Sequence, residues 1–451
     1  FLHIAVFFNY EDDDLVQAML AGNSHNNFDI EYGLKILVNR SLIYIFTNGF
    51  IMMHKLLQQM GRQVIQRQEP WKRQILVNAQ DICDAFENDD TGTGTLSGIS
   101  FDTLGIKEVN VSNRALRRMR NLRFLKVYNS NYDAKIRMHI PEEMEFPPCL
   151  RLLHWEAYPS KSLLPTFNPE FLVELNMQSS KLENLWKGTQ PLENLKRMDL
   201  SWSFHLKELP DLSNATNLER LDLSCCFALA ELPTSIGNLH KLKKLMMRSC
   251  ESLRVIPTNI NLASLEWFEI SGCSRLKTFP DISTNINNFS LSDTSVEEVP
   301  ASIRHWSQLS HFYISYSGNI KSVTHFPVGI EVLDLSSTDI EMIPADCIKD
   351  LQGLKRLLLF QCRRLRSLPE LPGLLELLMA EDCDSLERVT SPFNTRYAQL
   401  NFTNCFKLGE EARRVIIQRL SLVALACLPG KVIPSEFNHR ARGSSLTITR
   451  P

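Results

Sequence analysis

The chain has 451 residues, 44 % of them apolar, enough for about three domains on a prior of roughly 150 residues each. A formal net charge of −2 excludes any general attraction to nucleic acid or anionic membrane. The apolar share makes a large core available.

The opening FLHIAVFF, residues 1–8, reads as a buried helix. No basic region precedes it and EDDD follows at once, so a secretory signal is not expected. EDDD, Glu11 to Asp14, supplies an acidic first turn to a helix ending near Leu20. Ile30, Leu34, Leu37 and Val38 then fall at helical spacing. Ser41 to Phe46 reads as a strand, Thr47-Asn48-Gly49 as a tight turn and Phe50 to Met52 as the return strand. A helix follows from Leu56 to Ile65, with Leu56, Leu57, Met60 and Val64 expected on one buried face. This order is the outline of an α-helical winged-helix unit over residues 1–90. A DNA-reading winged helix would carry a strongly basic face. The candidate segment GLKILVNRSL has only Lys35 and Arg40, so no nucleic-acid partner is expected.

FLHIAVFF, GLKILVNRSLIYI, MHKLLQQMGRQVI and KRQILVNAQDICDAF together resemble the winged-helix end of a nucleotide-binding (NB-ARC) module. That module belongs to plant intracellular immune receptors of the TIR, nucleotide-binding, leucine-rich-repeat class. The resemblance runs from Phe1 to about Asp102. It sets Met53-His54-Lys55 at the family's Met-His-Asp triplet and implies that His54 contacts the β-phosphate of ADP in the resting receptor. Lys55 departs from the family's acidic or amide residue. A polar side chain beside a helix start suits a phosphate on physical grounds as well. ADP or ATP is therefore expected in an intact receptor, and no tight nucleotide binding by this chain alone.

Residues 91–121 read as a linker and repeat entry. Thr91-Gly92-Thr93-Gly94-Thr95 is glycine-rich but lacks the GxxxxGK[ST] spacing of a phosphate-binding loop, so a turn is expected. Arg114, Arg117, Arg118, Arg120 and Arg123 read as a solvated helix face or a domain contact.

From residue 122 to 408 one pattern recurs. Leu218-x-x-Leu221-x-Leu223-x-x-Cys226-x-x-Leu229-x-x-Leu232-Pro233 is repeated from Leu242 and again from Leu265. First positions at Leu122, Leu150, Leu172, Leu195, Leu218, Leu242, Leu265, Ile286, Leu309, Ile330, Leu354, Leu375 and Tyr397 are 21 to 28 residues apart. That period is the signature of a leucine-rich-repeat solenoid, an α/β fold of about thirteen stacked repeats. Each LxxLxL is expected to form a strand with Leu221 and Leu223 inward and Asp222 outward. One coil cannot close its own core, so neighbours must stack.

Six of the 11 cysteines, Cys226, Cys250, Cys273, Cys362, Cys383 and Cys405, occupy one repeat position. They read as small buried side chains in successive coils, neither a metal site nor a disulfide framework. Free thiols in a reducing compartment follow. In such a compartment the five N-x-[ST] sequons carry no meaning. Thr294-Ser295-Val296 and Thr338-Asp339-Ile340 read as shortened versions of the same region.

Outward strand positions and those just after them define a candidate protein-binding face. The residues selected are Trp202, Met246, Trp267, His311, Tyr313, Tyr316, Leu358 and Phe360, aromatic and apolar groups among charges. No nucleophile, carboxylate pair or metal cluster has supportive spacing, so no catalytic residue is expected.

Residues 409–451 leave the repeat rhythm, with a helix expected from Leu408 to Ala426. Ala426 to Ile448 resembles the start of the post-repeat β-sandwich of the same receptor class, cut short, since a sandwich needs about 100 residues. The apolar run Leu420 to Leu428 is too short to span a bilayer.

The resemblance implies the recognition and regulatory part of an immune receptor of the cytoplasm or nucleus. Its partners would be a pathogen effector or a guarded host protein, its own TIR and nucleotide-binding domains, and further copies of itself on activation. NAD cleavage would belong to a TIR domain outside this chain. The alternative is a stand-alone repeat scaffold or decoy without a nucleotide switch.

Overall fold

The computed structural model describes residues 1–21, 27–69, 72–88, 93–131, 137–258, 260–349, 351–390, 398–419 and 425–429. The chain forms two compact units, residues 1–276 with 280–286, and residues 277–279 with 287 onward.

The first unit opens with α1 (Leu2–Val6), whose Ile4, Ala5 and Val6 are buried together with Phe7 and Phe8. α2 (Asp13–Leu20) starts where the Asp12 carboxylate accepts the Asp14 N–H at 3.1 Å, and Asp13 and Asp14 meet its positive end. α3 (Asn27–Asn39) buries Leu34, with Ile30 and Leu37 packed beside it. Val38 is exposed rather than buried, because it lies about 100° around the helix from Leu37. β1 (Tyr44–Ile45) and β2 (Ile51–Met52) pair antiparallel across a turn in which Gly49 takes φ +85°.

α4 (Lys55–Arg67) corrects the expected face. Leu56, Met60 and Val64 are exposed, while Gly61 and Ile65 are buried and Leu57 is half-buried. The cause is Gly61. A Cβ there would lie 2.8 Å from the Ala5 Cβ, so the bare backbone lets α1 pack against this side. A periodicity count scores glycine as no hydrophobe and turns the helix the wrong way.

β3 (Ile75–Leu76), α5 (Ala79–Glu87), β4 (Gly98–Asp102), β5 (Glu108–Asn110), α6 (Ala115–Arg118), β6 (Phe124–Tyr128) and β7 (Arg137–His139) follow. Then come β8 (Leu152–Trp155), β9 (Glu174–Asn176), β10 (Arg197–Asp199), β11 (Arg220–Asp222), β12 (Lys244–Met246) and β13 (Trp267–Glu269). The order β3-β4-β6-β8-β9-β10-β11-β12-β13 is one parallel ladder. The repeat sheet thus begins at Ile75, well before the expected first coil at Leu122. Thr93–Thr95 is a tight turn leading to a strand, with no helix to receive a phosphate. Thr91 and Gly92 lie outside the described residues.

The second unit carries β14 (Asn288–Ser290), β15 (His311–Tyr313), β16 (Val332–Asp334), α7 (Ala345–Ile348), β17 (Arg356–Leu358), β18 (Ser367–Leu368), β19 (Leu377–Met379), β20 (Arg388–Val389) and β21 (Gln399–Asn401). α8 (Glu410–Arg419) and β22 (Leu425–Cys427) end it. Its ladder runs β14-β15-β16-β17-β19-β21-β22, all parallel. Leu425 and Ala426, expected to be helical, instead belong to β22, one more rung. Tyr397 and the resemblance from residue 430 onward lie outside the described residues.

The inward leucines are fully buried in both units, each worth ~1.5–3 kcal/mol. The cysteine column is buried as expected and has a second purpose. The Sγ of Cys226, Cys250 and Cys273 donates to the carbonyls of Leu200, Leu223 and Met247 in the preceding coil, at 3.2 to 3.3 Å. Cys362, Cys383 and Cys405 do the same to Leu335, Leu359 and Ala380. Ser203 and Ser317 fill the position in other coils and donate to Met177 and Leu291. Thr294 and Thr338 fill it in the shortened coils, donating to Leu291 and Leu335 within their own. The position therefore selects a small donor, of which cysteine is the most apolar. Burial pushes the Cys226 thiol far above its ordinary range. A thiol-reactive probe under native conditions is expected to label exposed Cys427 and spare the buried column. Fast labelling of Cys226 would contradict this packing.

The residue before each column position has positive φ, as at Ser179, Trp202, Cys225, Ser249 and Gly272 in the first unit and Asp293, Tyr316, Ser337, Gln361, Asp382 and Asn404 in the second. The left-handed turn costs non-glycine residues ~1–2 kcal/mol. Backbone bonds to the next coil offset it, such as Trp202 N–H to Ser224 O and Tyr316 N–H to Ser336 O, both 2.8 Å. Gly272 is special, because a Cβ would sit 2.9 Å from Ser249 Oγ and 3.1 Å from its Cα. Gly272→Ala is expected to cost ~1–3 kcal/mol, read as a lower denaturant midpoint.

Candidate functional site

Parallel register sorts the outward side chains of each unit into two columns. In the first unit one column reads Phe124, Leu152, Glu174, Arg197, Arg220, Lys244, Trp267. Its companion reads Lys126, His154, Asn176, Asp199, Asp222, Met246, Glu269.

The near end of these columns is covered. Phe124, Leu152 and Val173 share one buried cluster with Ile4, Phe7, Phe8, Leu15, Val16, Ile51 and Met53. The rings of His3, Phe7 and Phe8 lie 5.3, 5.6 and 5.2 Å from that of Phe124. Gly98 makes room, since a Cβ would stand 2.8 Å from the Phe7 ring. The winged helix and the first coils thus have a common core. Polar groups seal its rim. Arg197 pairs with Glu11 at 2.5 Å, and Arg151 donates to the Ala18 carbonyl at 2.9 Å. Glu174 lies beside that pair. Burial, then the Glu11 carboxylate, push its pKa up to about 7 against the pull of Arg197 and Lys126.

His54 is exposed at the start of α4, where its Nδ1 accepts the Leu56 N–H at 3.2 Å. An accepting Nδ1 places the proton of a neutral ring on Nε2, leaving a donor directed away from the helix end. Met53 beside it is 1 % exposed. The Met53 N–H donates to Asn9 Oδ1 at 2.6 Å, and Gln58 Nε2 donates to the Met53 carbonyl at 2.8 Å. Sequence reasoning missed Asn9, which lies 44 positions away and has no motif. Asn9→Ala is expected to cost ~1–3 kcal/mol by stranding a half-buried donor, measured by chemical denaturation. Lys55 is exposed.

Asp222 lies on the outward side, as expected, yet it is only 7 % exposed and accepts the Ser224 N–H at 3.0 Å. Asp199, Asp334 and Asn401 cap the turns after their own strands in the same way. Met246 is half-buried and Trp267 exposed, at the far end of the first unit's columns. Trp202 is 53 % exposed at its left-handed turn, off the strand, with Phe204 beside it and Phe227 stacked on Phe204 at 4.9 Å.

In the second unit one column reads Asn288, His311, Val332, Arg356, Leu377, Gln399 and the other Ser290, Tyr313, Asp334, Leu358, Met379, Asn401. His311, Tyr313 and Leu358 are half-buried and share this face. Val332, Leu377 and Met379, which sequence reasoning missed, share it too. Tyr313 and Leu358 stand two strands apart, about 10 Å. His311 Nδ1 is 2.7 Å from Ser310 Oγ, which fixes the ring's orientation. Tyr316 is 60 % exposed at the turn beyond, and Phe360 is half-buried just past its strand. Apolar side chains set among Arg356, Asp334 and Asn288 form a surface suited to a protein ligand.

Among the described residues no helix is long and apolar enough to cross a membrane. Residues 1–69 match the profile of the winged-helix domain of Roq1-like disease resistance proteins, and residues 171–190 match a leucine-rich repeat. The chain is 65 % identical, over 99 % of its length, to disease resistance protein RML1A of Arabidopsis thaliana and covers 44 % of that protein. It is 55 % identical to RML1B of the same plant over 99 % of its length, again covering 44 % of the relative. The chain thus spans less than half the length of these relatives. Among solved structures, a leucine-rich-repeat protein of Leptospira interrogans aligns at TM-score 0.45 and 17 % identity, over 78 % of this chain and 99 % of that one. The winged-helix match, the repeats and the identity along almost the whole chain place it among the TIR, nucleotide-binding, leucine-rich-repeat disease resistance proteins of plants.

Proposed function

We propose that this chain is the recognition and regulatory part of a plant immune receptor acting inside the cell. The apolar stripe of Tyr313, Leu358 and Met379 on the second unit reads a pathogen effector or a guarded host protein, and Met246 and Trp267 on the first unit offer a contact of their own. His54 offers its Nε2–H to a nucleotide phosphate in the resting receptor, and Met53 ties that position to the repeats. The observation that carries this reading is the common core of Met53 and Phe124. Bound ADP would supply the negative charge that holds His54. This chain's own residues hold the imidazole in place and transmit its position. The chain by itself is expected to hydrolyse no NAD and to bind nucleotide weakly.

The test uses the intact gene in plants challenged with a pathogen isolate that it recognises. Tyr313→Ala with Leu358→Ala is expected to abolish recognition at unchanged protein level. Full recognition by that double variant would refute the proposed face.

A further inference from the structure

A second charged feature lies outside the repeat face. α6 is a single turn whose Ala115 and Leu116, with Met119 and Leu122 beyond it, are fully buried. Anchoring that side turns the residues around it outward, three arginines between the anchors and one just before them. Arg114, Arg117, Arg118 and Arg120 line one open concavity of about 340 Å³. Arg114, Arg117 and Arg120 are exposed and Arg118 is half-buried. Arg117 faces Glu145 at 3.4 Å, and Arg118 donates to the Asn88 carbonyl at 3.0 Å. Glu87, at the end of neighbouring α5, accepts the Asn110 N–H. Among the described residues Arg114 and Arg120 form no ion pair.

Glu145 meets Arg117, and Arg114 and Arg120 form no ion pair among the described residues. An anion with several phosphate oxygens answers those charges and matches the fork geometry of arginine. The hollow is of small-ligand size. We propose that Arg114, Arg117, Arg118 and Arg120 form a binding site for a small polyphosphate-bearing anion, separate from His54 and from the repeat face. Nothing in the nucleotide role of His54 requires it.

The test is titration calorimetry of the purified chain with inorganic tripolyphosphate at about 0.15 M salt, where exposed charges are screened beyond roughly 8 Å. Saturable one-to-one binding is expected, with inorganic phosphate weaker. Arg114→Gln with Arg120→Gln is expected to weaken binding at least ~tenfold, since each charge-assisted contact is worth about that much. Lys277→Gln with Lys321→Gln, the same charge removed elsewhere, is expected to leave it unchanged. Circular dichroism checks that both variants fold. The absence of saturable binding, or equal losses in the two variants, would overturn the site. So would a short RNA that binds tighter than tripolyphosphate with the same arginine dependence, since it would make the patch a nucleic-acid contact.

Discussion

Phe124→Ala is expected to cost about 3–5 kcal/mol, the range for removing a buried phenylalanine, and to separate the winged helix from the repeats. Phe124 is 2 % exposed and meets three rings from residues 3, 7 and 8. Loss of its ring opens a cavity between the two bodies, while the inward leucines of the later coils are untouched. Calorimetry of the variant should show an early transition that wild type lacks. Phe312→Ala, in the second unit's core, should lower the repeat transition without creating that early step. A Phe124 variant within about 1 kcal/mol of wild type would show that the two bodies do not depend on each other.

The second large effect concerns Glu174. Its folded-state pKa, about 7, lies above the ordinary value of 4.5. The folded form therefore holds a proton that the unfolded chain has already released between those values, and stability falls as pH rises through that window. The penalty is absent well below pH 4.5 and complete above pH 7. Glu11 and Asp199 raise this pKa, and Arg197 and Lys126 oppose them. Glu174→Gln should stabilise the chain at pH 8 by on the order of 2 kcal/mol, and the gain should shrink toward zero as pH falls through 4.5. His3 works in the other direction. Burial pulls its pKa down to about 4 from 6.5, so its penalty grows as pH falls between those values. Wild type therefore shows a shallow pH profile over this range, and Glu174→Gln unmasks the His3 slope. Denaturant titrations at several pH values measure both. A gain that is equal at pH 4.5 and pH 8 would mean that the substitution acts through packing and not through charge.

The solenoid is legible in the sequence because each coil repeats the same burial, so errors at one position are corrected by its neighbours. Thr294 and Thr338 keep the rhythm even where the cysteine is missing. The winged-helix order is legible for a similar reason, since its helices and hairpin carry local signals. The α4 face was misread because Gly61 makes a contact that no hydrophobicity pattern records. The covered end of the repeat face was not legible either. Phe124 and Leu152 hold outward strand positions, and only a tertiary partner buries them. The outward direction of Asp222 was legible but its cover was not, because alternation gives direction only and its carboxylate turns back onto its own chain. Trp267, Tyr313 and Leu358 were legible as outward groups. Val332, Leu377 and Met379 were not, because an aliphatic residue in a strand reads as core until the register is known.

The mechanical claim beneath these readings is that the winged helix and the first coils are one folded body, so an event on the repeats can be felt at His54. Native-state hydrogen exchange tests it most directly. The amides of α1 and those of β6 should open together, with matching free energies, and Phe124→Ala should lower both. If α1 opens on its own while β6 stays protected, and Phe124→Ala alters only β6, the common core does not couple them and the account fails.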